Sequence, residues 1–285
     1  MFNLFPWYNL TTLNILTMLV MLYNTKGEDI MQIVTLTNQK GGVGKTTTAY
    51  ALAAGLHMKG YTVLMVDLDA QSNLSFTAGL NLLELPGKTL YDVFKGQGET
   101  KEAIYTVQTG LDIAVGGLSL SAADMEFTNI GREYLLRKAL EPVKGNYDFC
   151  IIDTSPVLGV LAMNALSASD RVIIPMFADA YSLQGIGQLH GFINNVQEYT
   201  NPRLKVDGLL LTRYTERAVL SKALEDSIHQ AAEQMDTKVY KIRIRNAAAV
   251  GVSQLIRSDL FTDAPRATAT EDYKAFVDEF LEGGN

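Results

Sequence analysis

The sequence has almost no cysteine. Cys150 is the one thiol in 285 residues. A single copy therefore has no disulfide framework, no zinc cluster and no four-thiolate iron–sulfur site. A reducing cytoplasm is the natural compartment for such a chain. It also lacks basic excess: 24 Lys and Arg stand against 31 Asp and Glu, a net charge of −7. That excludes a surface coated in positive charge for nucleic acid, though not a local basic patch. No internal repeat and no low-complexity linker is present. At 47% hydrophobic and 19% charged, the composition is that of a folded globular chain able to bury a sizeable core.

Charge is missing altogether from residues 1–25. A signal peptide would need a basic n-region, and none precedes the apolar stretch Leu10–Leu22. A membrane helix needs about 20 mostly apolar residues, and Asn3, Asn9, Thr11, Thr12, Asn14 and Thr17 interrupt this one. A third reading is that translation starts at Met31. The codons for Lys26-Gly27-Glu28 permit a purine-rich AGGAG, followed by a spacer of the length that bacterial initiation favours. Residues 1–30 are thus expected to be a non-native or disordered extension, with a membrane anchor the remaining alternative, and 31–285 one domain.

From Met31 short apolar runs alternate with helical stretches. Strands are predicted at 32–37, 62–67, 111–115, 147–153, 171–175 and 204–212. Helices are predicted at 46–59, 121–140, 181–198, 218–235 and 270–281. Residues 81–110 read as a surface excursion. Strands that are apolar throughout are covered on both faces, so the expected fold is α/β, a doubly wound, mostly parallel sheet flanked by helices. In such sheets ligands sit outside the carboxyl ends of the strands.

The strongest motif lies at one such end. Gln39-Lys40-Gly41-Gly42-Val43-Gly44-Lys45-Thr46-Thr47 follows a strand and opens a helix. Its glycines let backbone N–H groups turn inward on phosphate oxygens, and the helix N-terminus adds positive potential. Lys45 is placed to reach the β- and γ-phosphates, Thr46 to ligate Mg²⁺ and Thr47 to hold the α-phosphate. The run departs from the common phosphate-loop pattern: Gln39 replaces the first glycine and Lys40 is an extra lysine. Lys-Gly-Gly-x-Gly-Lys-Thr resembles the deviant Walker A loop of the ParA/MinD class of P-loop ATPases. The resemblance implies that Lys40 contacts the nucleotide of a partner subunit in an ATP-sandwich dimer.

Two acidic strand ends extend the likeness. Val66-Asp67-Leu68-Asp69-Ala70-Gln71-Ser72-Asn73 resembles the switch I segment of that class, which implies that Asp69 orients the attacking water and that Asp67 supports the Mg²⁺ shell. Tyr147 to Asp153 reads as a Walker B strand, with Asp153 on Mg²⁺ through water. Asp153-Thr154-Ser155-Pro156, followed by Gly159 and Asn164, resembles switch II, where Pro-Pro is usual.

The branch within the class is read from what is absent. The final helix carries Glu271, Asp272, Asp278 and Glu279 against Lys274, so MinD-like recruitment to anionic lipid is disfavoured. One cysteine cannot serve a nitrogenase-reductase cluster. Pro175 to Leu189 resembles the segment after the switch II helix in the ParA branch. That branch implies ATP and Mg²⁺ as cofactors, a homodimer formed with ATP, non-specific DNA binding, a ParB-like centromere-binding partner and a nucleoid-associated life in the cytoplasm. The alternatives are a ParA-like switch that positions or regulates a protein cargo, and a MinD-like membrane switch. Alternation in Lys241-Ile242-Arg243-Ile244-Arg245 would put Lys241, Arg243 and Arg245 on one face of an extended segment, where they could track DNA phosphates or guard an exposed edge. Ile244-Arg245-Asn246 lacks the proline usual in the family's adenine-packing segment, and Thr212 and Arg213, at the end of a strand, are further adenine candidates.

Overall fold

The computed structural model describes residues 31–285 except 86, 216–221 and 284–285. The expectation for residues 1–30 lies outside the described residues. Seven strands form one sheet: β1 (Gln32–Leu36), β2 (Val63–Leu68), β3 (Ile104–Gln108), β4 (Leu111–Val115), β5 (Phe149–Thr154), β6 (Arg171–Met176) and β7 (Lys205–Leu211). Their order is β3-β4-β2-β5-β1-β6-β7, and every neighbouring pair is parallel except β3 with β4. Six helices of eight residues or more accompany them among the described residues: α1 (Lys45–Met58), α2 (Val160–Ala168), α3 (Ala180–Tyr199), α4 (Lys222–Gln234), α5 (Ala248–Leu255) and α6 (Thr268–Glu282). The chain is therefore the doubly wound α/β fold that the alternation predicts.

β2, β5 and β6 are buried at every position, which is why they read as unbroken apolar runs and not as alternating ones. On one face α1 lies against the sheet under α6, with Ala49, Leu52, Ala53 and Leu56 meeting Tyr273, Phe276, Val277 and Phe280 in one core. The crossing is close at Gly55, where an added Cβ would stand 2.6 Å from Val277 Cγ2. The other face holds two cores: Leu136, Leu140, Val143 and Val160 pack on β2 and β5, while Ile186, Leu189 and Ile193 of α3 pack on β6 and β7.

Register then builds the site. Asp67 of β2 and Leu36 of β1 both stand level with Asp153 of β5. Three strand ends, far apart in sequence, thus finish at one height beside the loop from β1 to α1.

Two expectations differ. The helix predicted over 121–140 is broken into a 3₁₀ turn at Leu118–Ala122, a short helix at Ala123–Glu126, another 3₁₀ turn at Arg132–Tyr134 and a helix at Leu135–Leu140. Gly131 sits at φ 87°, and the Asn164 side chain binds Leu136 N and Arg132 O, so tertiary hydrogen bonds override helical spacing. Residues 81–110 are more than an excursion: they supply β3, an antiparallel edge strand. The 218–235 helix is described from Lys222 onward.

Candidate nucleotide site

The loop is shaped by two glycines in the left-handed region, Gly42 at φ 75° and Gly44 at φ 86°. Nothing lies within 4 Å of a Cβ placed on Gly41 or Gly42, so their backbone faces open space. Gly44 caps α1, and the Thr48 amide donates to its carbonyl at 2.8 Å. The Lys45 side chain is buried, and its Nζ donates to the Lys40 carbonyl at 3.3 Å. Burial lowers the Lys45 pKa, against the pull of Asp153 and Asp69. Val43 is fully buried, and its carbonyl accepts from Thr212 Oγ1 at 2.8 Å. Thr212, proposed above for adenine, thus spends its hydroxyl on the back of the loop.

Asp153 is fully buried. Its Oδ2 accepts from the Thr46 hydroxyl at 2.6 Å, and its Oδ1 has no partner. Burial, then the neighbouring Asp67, pushes its pKa up to about 8, while Thr46 and Lys45 oppose the shift. A buried orphan oxygen beside a hydroxyl is a donor set for a hard divalent cation, and Mg²⁺ sites of this kind are completed by phosphates and water. These residues fit Mg²⁺: Thr46 and Asp153 would hold it, and its charge would supply the neutralisation that phosphoryl transfer requires. Among the described residues no ready-made cage of three or more His, Cys, Asp or Glu exists.

Asp67 is differently employed. Its Oδ2 accepts from Ser75 N at 2.8 Å and Ser75 Oγ at 2.7 Å, and its Oδ1 from the Asp69 amide at 3.2 Å. These bonds tie Asp67 to the segment that carries Asp69. Burial raises its pKa to about 6, with Ser75 pulling the other way. Asp69 is half-buried, accepts from the Gln71 amide at 2.9 Å, and lines one open cavity together with Lys45, Thr46, Gln71 and Pro156. The following Ser72 is held at φ 53°, an uncommon conformation for a side-chain-bearing residue.

Lys40 lies across the loop on α3. Its Nζ donates to both oxygens of Asp179, at 2.9 and 3.1 Å, and to Ser182 Oγ at 3.1 Å. Asp179 also caps α3 through the Ser182 amide at 2.8 Å. Burial would raise the Asp179 pKa, but the bonds from Lys40 and Ser182 outweigh it and hold it below the ordinary carboxylate value.

A second cavity opens on the other side of Gly44 and Thr47 and is lined by Thr212, Arg213, Arg245, Asn246 and Gln254. Arg213 stands at φ 48° with its guanidinium 5.5 Å from the Phe177 ring centre.

The 241–245 stripe is not the free cationic ribbon that alternation suggests. Lys241 is exposed. Arg243 pairs with Glu225 and donates to Tyr214 Oη at 3.0 Å. Arg245 grips Asp272 through Nε and Nη2 at 2.7–3.1 Å. Acidic residues of α4 and α6, distant in sequence, neutralise what local spacing lays out.

Sequence reasoning missed Ser75, Asp179 and Gln254, the last of which donates to Thr47 Oγ1 at 2.9 Å. Asp179-Ala-Tyr-Ser182 ahead of an apolar-periodic stretch was a readable cap signal. No local signal marks the other two.

The profile of the AAA domain matches residues 31–206. The sporulation initiation inhibitor protein Soj of Bacillus subtilis is 35% identical over 255 residues, covering 89% of this chain and 99% of Soj. The chromosome partitioning protein ParA of Caulobacter vibrioides is 35% identical over 233 residues, covering 79% of this chain and 87% of ParA. A crystal structure described as cobyrinic acid a,c-diamide synthase of Mycobacterium smegmatis, with bound ADP and magnesium, superposes with a TM-score of 0.77 at 31% identity, over 89% of this chain and 95% of that one. The loop, the aligned acids Asp67 and Asp153, and these likenesses agree: the chain belongs to the Soj/ParA family of P-loop ATPases.

Proposed function

We propose that this ATPase is a dimerising switch that binds DNA non-specifically in its ATP form and moves a plasmid, chromosome or mobile element with a ParB-like partner that stimulates hydrolysis. The observation that carries the reading is the second lysine. Lys45 suffices to bind a triphosphate. Lys40 is a second, part-exposed lysine in the same loop, and in this structure it is paired with Asp179. Relatives named for chromosome partitioning support the DNA cargo.

In this reading the loop amides from Gly41 to Thr47 and the Lys45 ammonium receive the phosphates. Thr46 and Asp153 hold Mg²⁺. Asp69 accepts a hydrogen bond from the attacking water and orients it in line, a role that needs positioning more than covalent chemistry. Asp67 fixes the Asp69 segment through Ser75. Asn246, Thr212 and Arg213 border the base. A cytoplasmic, nucleoid-associated location follows from DNA binding, and no helix among the described residues is long and apolar enough to cross a membrane.

Lys241 is the exposed member of the basic stripe and the first DNA contact to test. The decisive experiment measures DNA retention with ATP, ADP or no nucleotide for the wild type, Lys40→Ala, Asp69→Ala and Lys241→Glu. Retention only with ATP, lost in Lys40→Ala and prolonged in Asp69→Ala, is expected. Equal retention with and without ATP would sink the switch.

A further inference from the structure

Gln254 belongs to no motif of the phosphate site, yet it reaches into it. It stands on α5 and lines both cavities, one with Lys45 and Asp69 and the other with Thr212 and Asn246. Its Nε2 donates to Thr47 Oγ1 at 2.9 Å, across 207 positions of sequence.

The direction of that bond matters. A hydroxyl has one proton and two lone pairs. With a lone pair occupied by the Gln254 amide, the Thr47 proton is left to be donated. A threonine on a helix ordinarily returns that proton to the carbonyl four residues back, here Val43. The Val43 carbonyl already accepts from Thr212 Oγ1 at 2.8 Å. Two long-range contacts, one from the end of β7 and one from α5, therefore discourage the local bond and polarise the hydroxyl as a donor toward the loop's open side.

Gln254 is also held as an anchor. Behind it, between α5 and α1, lies a small apolar cavity lined by Tyr50, Ala54, Val250 and Phe261. The adjacent Ser253 Oγ is buried there without a partner. α5 packs on the main core through Ala249 and Val250, and two polar contacts add to that seat: the Gln254–Thr47 bond and, just beyond the helix, the Arg257 guanidinium 4.1 Å from the Phe76 ring centre.

We propose that Gln254 is a positioning residue of the nucleotide site: it orients the Thr47 hydroxyl as a donor to the α-phosphate. The proposal rests on Thr47 being a phosphate ligand and is independent of DNA and of the partner protein.

The test is a double-mutant cycle on the full chain, read by titration with fluorescent ADP and a slowly hydrolysed ATP analogue. Thr47→Val alone should weaken both nucleotides. Gln254→Leu should weaken both by the same factor, about 3- to 10-fold, the loss expected of one neutral hydrogen bond, because the α-phosphate is common to them. In the Thr47→Val background Gln254→Leu should cost less than about twofold, since its target is gone. Melting temperatures of all four proteins control for folding. An undiminished effect of Gln254→Leu in the Thr47→Val background would overturn the proposal and make Gln254 a prop for α5. Unchanged binding in Thr47→Val would remove the ligand reading itself, and the proposal with it. A loss in Thr47→Val with none in Gln254→Leu would overturn the proposal alone.

Discussion

Lys40 Nζ sits 2.9 Å from Asp179 Oδ2, within its own subunit. A lysine proposed to act across a dimer is thus held at home by the cap of α3. Removing the carboxylate should release it. Asp179→Ala is expected to raise ATP-dependent dimerisation several-fold while losing about 1 kcal/mol of stability with the cap. Sedimentation velocity with a slowly hydrolysed ATP analogue measures the first and thermal melting the second. Dimerisation that falls in Asp179→Ala as it does in Lys40→Ala would mean that the carboxylate serves the active dimer.

The pH dependence of the nucleotide-free protein should be set by Asp153 and Asp67. Burial raises both, to about 8 and about 6, from an ordinary 3.8. A raised carboxyl pKa means that the folded state prefers the proton. The associated stability is complete below about pH 3.8 and is lost as pH rises through 6 and then 8. Melting temperature is therefore expected to fall between pH 5.5 and pH 9, and the upper part of that fall should flatten in Asp153→Asn. Saturating Mg²⁺ and nucleotide should also flatten it, because a cation replaces the proton and releases it on binding. A melting temperature that climbs over this range would contradict the picture.

Ser75 holds two bonds to Asp67. Ser75→Ala keeps the backbone bond at 2.8 Å and deletes the hydroxyl one at 2.7 Å. The cost should be about 1–3 kcal/mol, that of leaving a buried carboxylate short of a donor. Hydrolysis should slow with nucleotide affinity nearly unchanged, because the change acts on the Asp69 segment and not on the loop. A steady-state kcat measured beside a binding titration separates these effects.

Gly55 tests the crossing of α1 and α6. Ala is the better helix former by about 1 kcal/mol, but here its methyl would meet Val277 Cγ2 at 2.6 Å. Gly55→Ala should destabilise by about 1–3 kcal/mol through overpacking, and Val277→Ala added to it should recover part of that loss. Chemical denaturation of the single and double variants reads this directly.

Much of the site was legible because its chemistry is local. The run Lys40–Thr47 and the strand-end acids Asp69 and Asp153 each carry their meaning within a few neighbours. The parallel sheet was legible for a similar reason, since strands such as β2 and β5 are apolar on both faces. What escaped was non-local. The half-buried IYTVQ of β3 has no clear period, and its pairing with β4 makes it a strand. The break in 121–140 is imposed by Asn164. The basic stripe looked free because Glu225 and Asp272 lie on other helices. The bonds from Ser75 to Asp67 have no local signal either, because the serine lies eight residues on.

Thr212, at the end of β7, and Tyr273, whose hydroxyl lies 3.1 Å from Thr48 Oγ1, both bear on a loop and helix made near the start of the chain. During synthesis the phosphate loop emerges well before its supports. A nascent chain carrying every residue of the nucleotide motifs still lacks the strand end that pins Val43 and the helix that covers α1. Competence for the ligand should therefore wait until α6 has cleared the ribosome, so that a chain not yet made that far has little means of capturing nucleotide.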